Sequence, residues 1–332
     1  MSFPIGWMLL GPCALILVIS RPAAEGASWT YTGDHGQEHW PDSFPDCGGI
    51  AQSPINIRTD DTIYNSSLPP IQPVGYRAHG DSTFTLTNNG HTVQLSLPSS
   101  MKIHGLSNNY TAVQLHLHWG SKEHPGGSEH YIDDEEYPAE LHIVHYNADK
   151  FTDINEAKDK PNGLAVLGIL ITTGPRDNPG FANIINYLKR VSYADQRVSI
   201  PSFNVEELLP SKLDQYFRYS GSLTTPPCFQ SVTWTVFYNP VAISQSQMDE
   251  LRTALHSTPV NSPPKALENN VRDIQLVNRR KLYSSFVIEK GLSTGVIVAI
   301  VFGLLGGVLL ISIALYFVIT AIKRPIAHIG KA

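Results

Sequence analysis

Two segments of the chain alternate apolar and polar residues, and histidines occupy polar positions in both. One reads QLHLHW from Gln114, and the other reads ELHIVH from Glu140. Alternation with a period of two is typical of a β-strand that turns one face toward a core. Residues two apart share a strand face, so His116 and His118 lie on the same side as Gln114, and His142 lies on the side of Glu140. The pattern predicts two strands that each present histidine on one face of a sheet.

If these strands are neighbours, three imidazoles converge from rigid backbone, with an amide and a carboxylate beside them. Three nitrogen ligands supported by further hydrogen-bonding side chains are typical of a catalytic zinc site whose fourth position is open. Neutral imidazoles also leave the ion its full charge, which lowers the pKa of a bound water to about 7. Histidines on strands also serve as ordinary hydrogen-bonding or solvent-facing side chains, and this chain has 13 of them. The spacing alone therefore leaves both interpretations open.

Composition agrees with one large β-rich domain. Hydrophobic residues make up 42% of the chain and charged residues 16%, which is enough apolar material for a sizeable core. The net charge is −5, and no cluster of lysine and arginine interrupts the domain. Without such a basic patch, we expect no nucleic-acid partner.

Both ends of the chain carry apolar segments. Residues 8–19 form an apolar run too short to span a bilayer, and small residues follow it, so residues 1–26 are predicted to be a secretory signal peptide. Residues 291–322 contain no charged side chain. A membrane span needs only about 20 apolar residues, which predicts a transmembrane helix over residues 295–322.

This order of segments predicts a single-pass type I protein of the plasma membrane, with its N-terminus outside. Residues 27–286 would form an extracellular domain and residues 287–294 a stalk. Residues 323–332, which include Lys323 and Arg324, would form a short cytoplasmic tail, as the bias of positive charge toward the cytosol requires.

The cysteines and sequons fit an extracellular domain. Cys13 is removed with the signal peptide, which leaves Cys47 and Cys228 as an even pair in an oxidising compartment. Neither cysteine belongs to a C-x-x-C motif, so the pair is predicted to form a structural disulfide. Asn65 and Asn109 begin N-x-S/T triplets and are candidate glycosylation sites.

Several further motifs occur in a fixed order along residues 29–286. They are QSPINI from Gln52, NNGH from Asn88, LHLHWGS from Leu115, GSEH from Gly127, AELHIVH from Ala139, GLAVLG from Gly163 and GSLTTPP from Gly221. In these motifs the chain resembles the α-class carbonic anhydrases, in particular their single-span, membrane-bound extracellular type. The resemblance implies a mainly β fold with a large, twisted, mostly antiparallel sheet and short peripheral helices, followed here by one C-terminal transmembrane helix.

The resemblance also implies an activity, a Zn²⁺ cofactor and roles for individual residues. The activity is reversible hydration of CO2 to bicarbonate by zinc-bound hydroxide, with His116, His118 and His142 as zinc ligands. Gln114 and Glu140 would orient two of those ligands. Thr224 would accept a hydrogen bond from the hydroxide and donate its own proton to Glu129, and His91 would be the proton shuttle. The residues that match the family's apolar CO2 pocket are Val144, Val166, Leu223, Val232 and Trp234. Those that match its ordered-solvent network are Tyr31, Asn89 and Gln94.

A different class of function is a catalytically inactive, carbonic-anhydrase-like ectodomain that acts in adhesion or ligand binding. Relatives of that kind have lost zinc histidines, whereas all three are present here. The chain also lacks the H-E-x-x-H, zinc-deaminase and G-x-S-x-G motifs of other hydrolases. Within the transmembrane segment, Gly303 and Gly307 form a G-x-x-x-G motif, which predicts a homodimer through the membrane helix.

Overall fold

A computed structural model describes residues 28–77, 83–288 and 294–322 of the chain. Contacts divide the chain into two units, Met1–Phe286 and Val287–Ala332, and each is described by itself below. The predicted signal peptide and the predicted cytoplasmic tail lie outside the described residues.

The first unit is built from β-strands with short helices between them. Its strands are Asn56–Ile57 (β1), Ile63–Tyr64 (β2), Gln72–Val74 (β3), Thr83–Asn88 (β4), Val93–Ser96 (β5), Lys102–His104 (β6), Tyr110–Trp119 (β7), Tyr131–Ile132 (β8), Ala139–Asn147 (β9), Leu164–Gly174 (β10), Arg197–Pro201 (β11), Tyr216–Gly221 (β12), Val232–Phe237 (β13), Val241–Ser244 (β14) and Tyr283–Ser284 (β15). Its α-helices are Trp40–Ser43 (α1), Ile154–Ala157 (α2), Pro179–Ile185 (α3) and Gln245–Thr253 (α4). Its 3-10 helices are Gln37–His39, Pro45–Gly48, Thr59–Asp61, Leu188–Val191 and Val205–Leu208.

One 13-stranded sheet dominates the unit, in the order β11-β4-β5-β7-β9-β10-β13-β12-β15-β2, with β14 beside β10 and with β6 pairing β3 and β7. Most neighbouring strands run antiparallel, including the central β5-β7-β9-β10 group. Parallel pairs occur where β10 meets β13 and β14, and where β15 meets β2. The predicted large, mostly antiparallel sheet with short peripheral helices is confirmed.

The central strands separate apolar from polar residues by their two faces. Leu117 on β7, Ile143 on β9 and Leu167 on β10 belong to the main core, which also includes Phe181 of α3 and Met248 of α4. Their sequence neighbours on the same strands point to the opposite face, where the histidines lie. Burial of the leucines and isoleucines on one side therefore presents the polar residues together on the other.

A β-bulge at Val113 sets this partition on β7. Ala112 pairs with His145, whereas Gln114 pairs with Val144, so one residue of β7 has no partner on β9. The extra residue changes which positions of β7 face the core. Ala112 is buried in the core, and from Gln114 onward the even-numbered residues lie on the opposite face.

A disulfide joins Cys47 to Cys228 with an S–S distance of 2.09 Å, as predicted. The two cysteines form a small buried cluster with Trp40. They are separated by 181 residues. Closing a loop of that size stabilises the folded state by up to about 5 kcal/mol in the chain-entropy model.

The second unit contains one long α-helix, Thr294–Ile322 (α5), which begins one residue before the predicted start. Among the described residues, this is the helix that is long and apolar enough to cross a membrane, with its candidate span at Val298–Thr320. Gly303 and Gly307 both lie within the candidate span.

A buried histidine on β9, His145, lies in the core rather than on the histidine face. Its Nδ1–H donates to the carbonyl oxygen of Ala165 at 3.3 Å, and its Nε2 accepts from the hydroxyl of Tyr76 at 2.5 Å. Burial lowers the pKa of His145 from 6.5 to about 4. The neutral ring is therefore the form that this core accommodates.

We expect His145 to make folding sensitive to acid. Because its pKa is lower in the folded state, the unfolded chain binds the proton first, so stability falls as the pH drops from 6.5 toward 4 and then levels off. The loss attributable to this residue at pH 4 is about 3 kcal/mol. Urea denaturation of the metal-free protein at pH 7 and pH 4 measures it, with His145→Asn as the variant that cannot titrate there. Equal acid sensitivity in the variant and the wild type would contradict the assignment.

Candidate metal centre

Three histidines meet on the polar face of β7 and β9. His116 and His142 are directly paired across the two strands, and His118 follows His116 on the same face. Their ring centroids are 4.6 to 5.2 Å apart. One nitrogen from each ring lies within 4.8 Å of the other two, so the three could hold one metal ion. The strand alternation thus brings together the residues that the sequence singled out.

Each imidazole is held through the ring nitrogen that does not face the other two histidines. His116 Nδ1–H donates to Oε1 of Gln114 at 2.9 Å, and His142 Nε2–H donates to Oε1 of Glu140 at 2.8 Å. His118 Nδ1–H donates to the backbone carbonyl of Asn270 at 2.7 Å. These bonds select the tautomer of each ring, so that Nε2 of His116, Nε2 of His118 and Nδ1 of His142 carry the lone pairs.

The electrostatics of the site favour neutral rings at His116 and His118. Burial, followed by the charges of His118 and His142, lowers the pKa of His116 well below its ordinary value. Burial also lowers the pKa of His118. Among the described residues, the buried Nε2 of His118 has no hydrogen-bond partner. A metal cation would satisfy this nitrogen, and three neutral imidazoles form the donor set that Zn²⁺ accepts, so the residues fit a zinc ion.

Glu129 lies beside this centre with its two oxygens in different environments. Oε1 accepts the backbone N–H of Arg272 at 3.0 Å. Oε2 faces His118 Nε2 at 3.3 Å and makes no hydrogen bond with any described residue. Thr224 is also buried. Among the described residues, however, its hydroxyl makes no hydrogen bond to Glu129. The backbone of Arg272 holds Glu129 so that its second oxygen points toward the histidines.

Glu140 is fully buried and accepts four hydrogen bonds. Its Oε1 accepts from His142 and from Nδ1–H of His130 at 2.7 Å, and its Oε2 accepts the backbone N–H groups of Glu129 at 2.9 Å and His130 at 2.7 Å. Burial alone would raise the pKa of Glu140, but the neighbouring His130 and His142 hold it well below the usual range. The carboxylate stays ionised and is fixed in one orientation.

An apolar wall adjoins the histidines on the same face. Val144, Val166 and Trp234 form one row across β9, β10 and β13, and all three are buried. The ring centroids of Trp234 and His142 are 4.8 Å apart. Val232, two residues before Trp234 on β13, is also buried, while Leu223 is half-buried just after β12. The structure therefore places apolar surface next to the candidate metal position.

His91 lies on a turn between β4 and β5. Its half-buried ring is stacked on Trp29 with centroids 3.8 Å apart and an angle of 12° between the planes. Burial lowers the pKa of His91, which favours the neutral ring. The ring borders a cleft of about 650 Å³ that Tyr31 and Asn89 also line. This histidine thus combines access to a cleft with a fixed ring plane.

The three residues assigned to the solvent network have different surroundings. Gln94 pairs with His116 across β5 and β7, which places it next to the metal centre. Asn89 supports the turn of His91, because its Oδ1 accepts the backbone N–H groups of His91 and Thr92 at 2.9 Å. Burial, and secondly the charge of Glu129, raises the pKa of the Tyr31 hydroxyl.

Asn270 is a site residue that sequence reasoning missed. Besides its carbonyl bond to His118, its side-chain Oδ1 accepts the Trp119 backbone N–H at 2.8 Å. Its Nδ2 donates to the carbonyl oxygens of His91 at 3.0 Å and Leu117 at 3.1 Å. It lies 152 residues from His118 in sequence, and no motif marks it. One buried amide therefore links the turn of His91 to the histidine strand.

The two candidate glycosylation sites lie at the surface. Asn65 is half-buried, and its Oδ1 accepts from the backbone N–H of Ser67 at 3.0 Å. Asn109 is exposed, and its Nδ2 donates to Oδ1 of Asp149 at 3.0 Å. Glycosylation of either residue stays a prediction.

Comparison with known proteins finds a family that this chain matches. A family model described as eukaryotic-type carbonic anhydrase matches residues 35–286. Human carbonic anhydrase 12 is 45% identical over 315 residues, covering 91% of this chain and 89% of that protein. Human carbonic anhydrase 6 is 37% identical, with 82% and 90% covered, and human carbonic anhydrase 7 is 38% identical, with 78% and 97% covered.

We expect Asn270→Ala to weaken metal binding although the carbonyl that holds His118 is part of the backbone. Loss of the buried amide removes the partners of the Trp119 N–H and the His91 carbonyl oxygen, which costs about 1–3 kcal/mol of stability. The freed backbone then orients His118 less well, and zinc affinity falls by about tenfold. Zinc titration against a chelator measures this, with Asn183→Ala on α3 as the control. Unchanged zinc affinity in Asn270→Ala would contradict the role.

Proposed function

The chain belongs to the eukaryotic-type carbonic anhydrases and has carbonic anhydrase activity, the interconversion of CO2 and bicarbonate, and from this premise we propose that it is a zinc enzyme working at the extracellular face of a membrane. The observation that carries the zinc assignment is the set of three converging imidazoles, each held through its outer nitrogen by Gln114, Asn270 or Glu140. An inactive adhesion module would have no need of such a set.

His116, His118 and His142 would hold the zinc ion through Nε2, Nε2 and Nδ1. When bound, zinc supplies a Lewis acid that allows a water molecule to lose a proton near neutral pH, as it does in carbonic anhydrases generally. Neutral ligands keep the charge of the ion available for this chemistry. The lowered pKa values of His116 and His118 support the neutral form of those ligands.

Thr224 and Glu129 would orient the attacking group. A carboxylate can only accept, so a hydrogen bond from Thr224 to Glu129 would leave the threonine oxygen to accept from the nucleophile. This role requires Oε2 of Glu129, which faces His118, to accept from Thr224 instead. Val144, Val166 and Trp234 would bind CO2, because an uncharged substrate of low polarity is favoured next to apolar side chains.

His91 would carry the proton from the site to the surrounding buffer. An imidazole whose pKa is lowered by burial is neutral at pH 7 and can accept a proton there. Stacking on Trp29 keeps the ring at the cleft, and the Asn89 turn holds its backbone. Both contacts support a relay with a fixed geometry.

We further propose that the enzyme is anchored in the plasma membrane by α5, with residues 27–286 outside. The Cys47–Cys228 disulfide supports an oxidising compartment, and Lys323 and Arg324 after the helix support a cytosolic C-terminus. The signal peptide over residues 1–26 and the homodimer through Gly303 and Gly307 stay predictions.

Removing any one zinc ligand tests the proposed function. In the full-length protein in detergent, we expect His116→Ala, His118→Ala or His142→Ala to abolish most zinc binding and to lower CO2 hydration by more than about 100-fold, because two imidazoles do not retain the ion. Metal analysis and stopped-flow hydration assays measure both. His104→Ala, an exposed histidine on β6, is the matched control. A wild-type protein that binds no zinc, or a ligand variant that keeps full zinc content and rate, would refute the proposal.

Replacement of His91 separates proton export from chemistry at the metal. We expect His91→Ala to slow turnover by about 10-fold or more in dilute buffer and much less in concentrated buffer, with added imidazole restoring the rate. Stopped-flow assays across a range of buffer concentrations measure the effect. An equal loss at every buffer concentration would instead assign His91 a structural role.

A further inference from the structure

We propose that Gly168 is a positioning residue for the metal centre, because the absence of a side chain there makes room for the Glu140 carboxylate that orients His142. This inference rests on the proposed zinc function and extends it to a residue on β10, a strand that supplies no ligand.

Gly168 lies where the site is most crowded. It pairs directly with His142 across β9 and β10, and on its other side it pairs with Val236 of β13. A Cβ atom added to Gly168 would lie 2.9 Å from Oε1 of Glu140, 3.4 Å from Val236 and 3.7 Å from Trp234. The first distance is shorter than real Cβ contacts, so the oxygen would have to move.

Moving the end of a flexible side chain is usually cheap, but here it is not. Oε1 of Glu140 accepts hydrogen bonds from both His142 and His130, while Oε2 accepts hydrogen bonds from two backbone N–H groups. All four acceptor positions of the carboxylate are used, and the group is fully buried. Any shift of Oε1 therefore lengthens or bends the hydrogen bond that orients His142.

The consequence reaches the metal through one ring. His142 would present Nδ1 to zinc because Glu140 holds Nε2–H on the opposite side of the imidazole. If Glu140 is displaced by a methyl group at residue 168, the ring of His142 loses its fixed tautomer and plane. Gly168→Ala should thus weaken zinc binding although it changes no ligand and no hydrogen-bonding group.

The same strand offers a matched control. Gly174 also lies on β10, at its end, and a Cβ there would meet only the Cβ of Ala242 at 3.2 Å and the carbonyl of Ile243 at 3.9 Å. Gly174→Ala makes the same chemical change in the same strand without touching Glu140. A general effect of alanine on β10 would appear in both variants.

The test measures zinc release from the full-length protein in detergent, using a chelator with a colour change. We expect zinc to leave Gly168→Ala about tenfold faster than the wild type, at the lower end of the 10–100-fold range for losing such support. Gly174→Ala should stay within about twofold of the wild type, since its change is remote from the site. Equal zinc release from Gly168→Ala and wild type would overturn the inference.

A second measurement separates positioning from simple destabilisation. In a Glu140→Gln background the amide cannot accept all four hydrogen bonds, so adding Gly168→Ala should change zinc release by less than about threefold. Full additivity of the two changes would overturn the inference and assign the effect of Gly168→Ala to packing. A wild type that binds no zinc would instead refute the proposed function itself, so the two failures are distinguishable.

Discussion

A carboxylate buried away from solvent must find hydrogen-bond donors within the protein for both of its oxygens, and Glu140 meets that requirement with four of them. Two of its donors are imidazole rings and two are backbone N–H groups from the segment before β8. Leaving a buried charge partly unsatisfied costs several kcal/mol, so the four donors hold one another in place. The ring of His142 and the backbone of Glu129 are thereby held by the same carboxylate, that of Glu140.

From Glu140 a chain of buried contacts continues away from the histidines. His130 Nε2 and the Tyr219 hydroxyl are 2.6 Å apart, and that hydroxyl donates to Ser53 Oγ at 2.8 Å. Ser53 Oγ in turn accepts the backbone N–H of Ser222, two residues before Thr224. Strands distant in sequence are therefore joined by polar contacts behind the metal centre, while the apolar core lies on the other face of the sheet. The central sheet serves as a rigid partition between the two.

Parity along a strand is a local property, and for that reason the common face of Gln114, His116 and His118 could be predicted from the sequence. The register between β7 and β9 could not be predicted from the sequence. It is shifted by the bulge at Val113, and no sequence pattern marks that bulge. Residues such as Asn270 could not be predicted either, since their role arises from contacts across more than a hundred residues. The resemblance supplied Glu129 and Thr224 but not the direction of the Glu129 carboxylate, which depends on where the backbone of Arg272 lies.

The last strand of the domain closes its sheet against one of the first. Strand β15 lies between β12 and β2, and two residues after it the ring of Phe286 contacts Tyr238 at 5.0 Å. A chain that ends at Phe286 keeps every one of these pairings. A cut before Tyr283 removes β15 and leaves two unpaired strand edges, which favour aggregation. The catalytic domain therefore depends on the chain through Phe286, while none of these pairings involves a residue of α5.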